Sequence, residues 1–234
     1  SLDWDPFGKY IAISATNENE LEIYEFVVST ETLNTTAIIG SSVDTDMNIV
    51  RWRYDGGYLG IGDTSGNIYI YSFRRGIATP SLTQEFTKDV GTRIDGLAWS
   101  PDGNYVAFTE CANFLEVDAF NINDVGDETL SYIFGATFDD TVSVNTVAWN
   151  PNDNPLAVGA LIGGVGAELK LFNFRRTTLE ECVNARVEFG EEVKTSAWSN
   201  DGNLFAIAGL DEDLNKELHI YEFDGANLNF SYSI

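Results

Sequence analysis

Apolar and polar residues alternate over short runs along the whole chain, with the period of two that marks strands rather than the 3.6 of helices. The clearest runs are LEIYEF ending at Phe26, IYIYSF at Phe73, LEVDAF at Phe120, LKLFNF at Phe174 and LHIYEF at Phe223, each with apolar residues on both faces. Ahead of each stands a pair of shorter runs around a turn: LDWDPFGKYIAIS from Leu2, VRWRYDGGYLGIG from Val50, LAWSPDGNYVAFT from Leu97, VAWNPNDNPLAVG from Val147 and SAWSNDGNLFAIA from Ser196. The turns are built from Pro, Asp, Asn and Gly, as in Pro101, Asp102 and Gly103, so each segment predicts a β-hairpin. A fourth strand is predicted around Leu33, Leu82, Leu130, Leu179 and Leu228.

These segments align without gaps on the five tryptophans, Trp4, Trp52, Trp99, Trp149 and Trp198, spaced by 48, 47, 50 and 49 residues. A fixed period of this length signals a repeat architecture. The unit is a four-stranded antiparallel meander, and the repeats fall at approximately residues 1–44, 45–92, 93–142, 143–192 and 193–234. Four short strands in every ~45 residues predict the blades of a β-propeller, and two-sided burial of the third strand suits a blade packed between two neighbours. The expected fold is all-β: a propeller of five four-stranded antiparallel blades over residues 1–234, or a part of a larger one.

The turns SPDGNYVAF and SNDGNLFAI resemble those of the WD-repeat β-propeller family, over nearly the whole chain. Tyr- and Phe-rich third strands followed by Phe223, Asp224, Gly225 and Leu228 resemble the divergent repeats of bacterial propeller proteins. No copy ends its third strand in Trp-Asp and none carries Gly-His ahead of the first strand, so the His-Asp network of the standard repeat is absent. The resemblance implies the propeller architecture and no partner class. Closure has three readings: five blades packed side to side, a window on a longer chain with six or more blades, or open edges that join neighbouring molecules.

Composition narrows the chemistry. Of 234 residues, 44% are hydrophobic, enough for substantial cores, while 13 Lys and Arg against 37 Asp and Glu give a net charge of −24. Phosphate backbones and anionic membrane faces are therefore repelled, and nucleic acid is not expected as a partner. No run approaches the ~18 apolar residues of a membrane span, and SLDWDPFGKY has no signal-peptide pattern. One His, two Cys and no CxxC leave too few ligands for a zinc cluster and no pairing for a His-based triad. Cys111 and Cys182 read equally as a disulfide or as two buried thiols.

Candidate sites follow. Asp44, Asp46 and Asn48 form DxDxN in the connection before the second repeat, and Asp211, Asp213 and Asn215 repeat the spacing before LHIYEF. Alternate oxygen ligands in a loop suit calcium. Lys216 stands where an EF-hand needs Gly, so the expectation is a looser loop site. Asp139, Asp140, Glu191 and Glu192 occupy equivalent connections, predicting a strongly negative loop face that would receive a protein or glycan ligand. Asn34 and Asn229 open N-x-S/T sequons beside the fourth strands, an edge where glycans would fit. His219 reads as a strand residue between blades and the tryptophans as framework. Gly60, Gly62 and Gly66, and again Gly163, Gly164 and Gly166, read as hairpin turns rather than phosphate loops, since no helix can follow.

No catalytic residue is expected from this pattern, although paired carboxylates of a propeller hydrolase remain an alternative. The expected function is a non-enzymatic binding scaffold, extracellular or at the cell surface. The alternatives are a structural subunit joined through chain ends or blade edges, and a glycan-binding lectin.

Overall fold

The computed structural model describes residues 1–15, 21–34, 39–41, 46–75, 80–111, 114–122, 128–138, 141–152, 155–163, 166–210 and 217–233. Five meanders follow one another. The first is β1 (Leu2–Trp4), β2 (Tyr10–Ser14), β3 (Leu21–Val27) and β4 (Thr32–Leu33), with β5 (Ile39–Ser41) also paired to β3. The second runs through β6 (Met47–Trp52), β7 (Tyr58–Asp63), β8 (Asn67–Arg74) and β9 (Ser81–Asp89). The third has β10 (Ile94–Trp99), β11 (Tyr105–Glu110), β12 (Phe114–Ile122) and β13 (Glu128–Thr137). The fourth comprises β14 (Thr141–Trp149), β15 (Pro155–Ile162), β16 (Leu169–Phe174) and β17 (Leu179–Glu181). The fifth comprises β18 (Glu192–Trp198), β19 (Leu204–Leu210), β20 (Leu218–Phe223) and β21 (Leu228–Ser233). Sequence neighbours pair within each meander, and a bridge from Leu161 to Glu192 links the fourth to the fifth. Among the described residues no helix is long and apolar enough to cross a membrane.

The chain divides into two compact units, residues 1–106 with 119–131, and residues 107–118 with 132–234. In four of the five repeats the hairpin between the first two strands turns on a glycine. Gly8, Gly56, Gly103 and Gly202 sit four residues after a Trp with φ of 66°, 63°, 68° and 68°, left-handed values at which a Cβ would be strained. Their N–H groups donate to the carbonyls of Asp5, Arg53, Ser100 and Ser199 at 2.7–2.9 Å, closing the turn.

Each Trp meets the Phe at or near the end of its own third strand, edge to face. The centroid distances are 5.5 Å for Trp4–Phe26, 5.0 Å for Trp52–Phe73, 5.1 Å for Trp99–Phe120, 5.2 Å for Trp149–Phe174 and 5.2 Å for Trp198–Phe223. The two sequence-periodic positions are thus one recurring contact, worth about 0.5–1.5 kcal/mol beyond burial in each repeat. Trp52, Trp99 and Trp149 are buried, whereas Trp4 is 44% exposed.

Repeats are joined by small side chains and by indole hydrogen bonds. In the first unit a Cβ on Gly62 would lie 2.5 Å from Ile94 Cβ; in the second, one on Gly159 would lie 2.5 Å from Val193 Cγ1. Both glycines sit ten residues after their Trp, where the next first strand leans in. Trp99 Nε1 donates to Arg51 O at 3.2 Å and Trp198 Nε1 to Ala148 O at 3.3 Å, the carbonyl one residue before the preceding Trp in each case. Asn48 Nδ2 donates to Ile94 O at 2.7 Å, and Asn145 Nδ2 to Val193 O at 3.0 Å.

Three residues expected in loops lie in strands. Gly60 and Gly62 lie inside β7 rather than in a turn, and they are glycines because Leu97, Trp99 and Ile94 occupy the space of their side chains. Asn48 lies in β6 rather than in the connection before it, and its amide serves as the clasp just described.

Candidate functional site

The first strands share a framework, and one position in it varies in a telling way. The residue before the Trp is Ala98, Ala148 or Ala197 in three repeats, but Asp3 and Arg51 in the first two. Adjacent repeats of the first unit thus place a carboxylate and a guanidinium on neighbouring first strands. Asp3 Oδ2 accepts the N–H of Trp52 at 2.7 Å, which ties the carboxylate to the start of the second hairpin. Arg51 Nη1 donates to Ser1 Oγ at 3.0 Å and to Val50 O at 2.8 Å. Its Nε and Nη2 have no partner among the described residues.

Burial raises the Asp3 carboxyl above its ordinary value; the Trp52 N–H and the Arg51 charge oppose this without reversing it. Burial also lowers Arg51 from its ordinary value, against the pull of Asp3. Each group is half-buried. The result is a carboxylate of increased basicity next to a cation with donors to spare, the pairing needed to activate water and hold a developing oxyanion.

A second polar group lies on β6 and β10. Asp95 Oδ1 accepts Asn48 Nδ2 at 3.1 Å and Arg93 Nε at 2.7 Å, while Arg93 Nη2 reaches Asp95 Oδ2 at 3.0 Å. Asp95 thus joins the Arg93 guanidinium to the Asn48 amide that also holds Ile94 O, which makes the group a structural clasp.

Of the residues expected to hold calcium, Asp44, Asp211, Asp213 and Asn215 lie outside the described residues. Asp46 is exposed, with its carbonyl accepting Thr64 N at 3.0 Å. Among the described residues no three His, Cys, Asp or Glu side chains converge as a metal site. Asp139 and Asp140 lie outside the described residues too, whereas Glu192 opens β18. Asn34 is exposed, and its backbone N–H donates to Glu25 O at 2.8 Å. Asn229 is exposed on β21, where its Nδ2 donates to Asp224 Oδ2 at 3.3 Å. His219 lies on β20 with Nδ1 3.2 Å from the Tyr221 hydroxyl and its ring against Phe189 and Phe230. Cys111 and Cys182 are separate, half-buried thiols. Burial pushes the Cys182 thiol up.

No family model matches the chain, and no curated protein matches it. Solved structures do. A Bacteroides fragilis protein provisionally named a 6-phosphogluconolactonase superposes with a TM-score of 0.77 at 16% identity, over 100% of this chain and 69% of that one. The periplasmic gluconolactonase of Pseudomonas aeruginosa gives 0.74 at 15%, with the same coverage. A chain of the mitotic checkpoint complex gives 0.63 at 19%, over 100% of this chain and 78% of that one. The fold is a β-propeller.

This overturns the expectation of a non-enzymatic scaffold. Propellers with this architecture include proteins named as lactonases. One His and two Cys exclude His-based and zinc-based hydrolysis only, not hydrolysis by a carboxylate and an arginine. Asp3 and Arg51 were missed because they are ordinary residue types in an acidic chain. Their departure from Ala at a fixed repeat position was the available signal.

Proposed function

We propose that this propeller hydrolyses the ester bond of a sugar lactone, with Asp3 as general base and Arg51 as the group that holds the carbonyl oxygen. The observation that carries the reading is the Asp3–Arg51 pair on neighbouring first strands, where three other repeats have alanine. The likeness to proteins named gluconolactonase supplies the substrate class. Asp3 takes a proton from a water molecule, whose oxygen attacks the lactone carbonyl. The oxyanion forms opposite the unpaired donors of Arg51. Collapse breaks the ring carbon–oxygen bond, and the alkoxide leaves with the proton returned from Asp3, giving the hydroxy acid.

The test is acid release from glucono-δ-lactone above its spontaneous hydrolysis, followed at constant pH, with 6-phosphogluconolactone as the second substrate. Asp3→Asn keeps the Trp52 hydrogen bond yet removes the base, with a loss of about 10²–10⁴ in kcat/KM. Arg51→Ala should lower kcat by about 10²–10³ with a smaller change in KM. An Asp3→Asn variant as active as the parent would refute the assignment.

A further inference from the structure

We infer that a cleft at the first turn of the chain binds small aromatic monocarboxylates, a site independent of the lactone chemistry. The cleft has a volume of about 320 Å³ and is lined by Phe7, Lys9, Tyr10 and Arg75, a size at the lower end of small-molecule sites.

The turn builds the cleft. Buried Asp5 accepts the N–H groups of Lys9 and Tyr10 through Oδ1, both at 2.6 Å, which folds the chain back and sends Phe7 outward, 67% exposed. The Tyr10 ring is buried, 5.0 Å from Phe73. Arg75 reaches across from the residue after β8: Nη2 donates to Gly56 O at 2.7 Å, and Nη1 lies 3.1 Å from Asp5 Oδ2. Its guanidinium carbon stands 4.4 Å from the Phe7 ring centroid. Lys9 Nζ lies 5.2 Å from the Tyr10 centroid and 3.0 Å from Glu25 Oε1. Two aromatic rings and two cations thus meet in a chain whose net charge is −24.

The chemistry selects the ligand. An exposed ring beside a second ring accepts a third aromatic ring, stacked or edge-on. Arg75 has five N–H donors, of which one goes to Gly56 O; Nη1 is ion-paired with Asp5 Oδ2 without a hydrogen bond, and the buried Nε–H has no partner among the described residues. Lys9 is more than half exposed, so its ammonium can turn to a bound carboxylate. Asp5 and Glu25 already supply two negative charges, which disfavours dianions and phosphates. A single carboxylate one or two carbons from a ring fits both the charge and the volume.

The test titrates the whole chain with 3-phenylpropionate and follows NMR shifts of Phe7, Gly8, Lys9 and Tyr10. Saturable binding is expected, at least tenfold weaker for the uncharged isostere 3-phenylpropanamide and at least tenfold weaker in Phe7→Ala. Lys9→Met changes an exposed side chain, should fold normally, and should weaken binding and reduce its salt dependence, with Arg75 still in place. Equal affinity for acid and amide would overturn the carboxylate assignment. Unchanged binding by Phe7→Ala, or no saturation in the millimolar range, would overturn the site. Binding is read at the turn and does not require lactone turnover, so either inference can fail without the other.

Discussion

Phe73 is the sharpest test of how the repeats hold together, because its ring serves two of them. It meets Trp52 of its own repeat at 5.0 Å and Tyr10 of the first repeat at 5.0 Å, and is only 4% exposed. Phe120 does the same between Trp99 and Tyr58, both at 5.1 Å. Truncation of a buried Phe to Ala costs about 3–5 kcal/mol, and Phe73 should lie at the top of that range because two aromatic pairs of about 0.5–1.5 kcal/mol each go with it. Phe26, half-buried and paired with Trp4, should lose about half as much. The informative measurement is a double-mutant cycle with Phe73→Leu and Tyr10→Leu, which keeps apolar volume and removes only the ring–ring contact. Urea unfolding followed by far-ultraviolet circular dichroism would supply the four free energies. The expected coupling is about 0.5–1.5 kcal/mol. A coupling within about 0.3 kcal/mol of zero would show that Phe73 matters for its own repeat and not for the joint.

Gly62→Val should destabilise the chain by about 1–3 kcal/mol, because its side chain would meet Ile94 and Ile49; Ile94→Ala should recover part of the loss in the same unfolding assay. Asn48→Ala leaves Ile94 O without its 2.7 Å donor and should cost about 1–3 kcal/mol, measured likewise. The raised carboxyl of Asp3 predicts a pH signature of known sign. An acid with a folded pKa above its unfolded one contributes stability that is full below the unfolded value and is lost as pH rises through the folded value. Asp3→Asn should therefore gain stability relative to the parent between pH 4 and pH 7, and a difference that falls with pH would refute the burial argument. Asp224 should behave in the opposite way: hydrogen bonds from Asn227 and Ala226 hold its carboxyl well below the ordinary 3.8, so an NMR titration should find it still ionised where ordinary aspartates are half protonated.

The architecture was legible in the sequence because the physics of the fold repeats. Trp and Phe recur 21 to 25 residues apart since each pair forms one edge-to-face contact, and the turn Gly recurs in four repeats since at a φ near 66° other residues are strained. What could not be read was which element a small residue belongs to. A glycine in β7 and a glycine in a hairpin look alike until the neighbouring repeat is present, because Ile94, 32 positions along, is what forbids a side chain at Gly62. The same holds for Asn48, whose DxDxN context suggested a cation ligand while its amide reaches a carbonyl on β10.

The candidate site was hidden for a related reason, and the reason suggests where to look in any repeat fold. A repeat imposes identical backbone environments, so most framework positions are decided by packing, as Ala98, Ala148 and Ala197 are. Where two adjacent copies carry an acid and a base in place of that alanine, the position no longer serves apolar packing alone. Asp3 has its carboxyl raised by burial, and Arg51 has its guanidinium destabilised by the same environment. A pair retained only for stability would be expected to satisfy its donors, yet among the described residues only one nitrogen of Arg51 is engaged, by Ser1 and Val50. That combination is unfavourable for folding and useful for holding an oxyanion. If the pair is structural, Asp3→Ala with Arg51→Ala, which gives both repeats the alanine of the other three, should leave lactone hydrolysis unchanged and lower stability, because the contacts to Trp52 N and Ser1 Oγ then outweigh the burial of the two charges. If it is catalytic, the same double variant should be at least as stable as the parent and inactive.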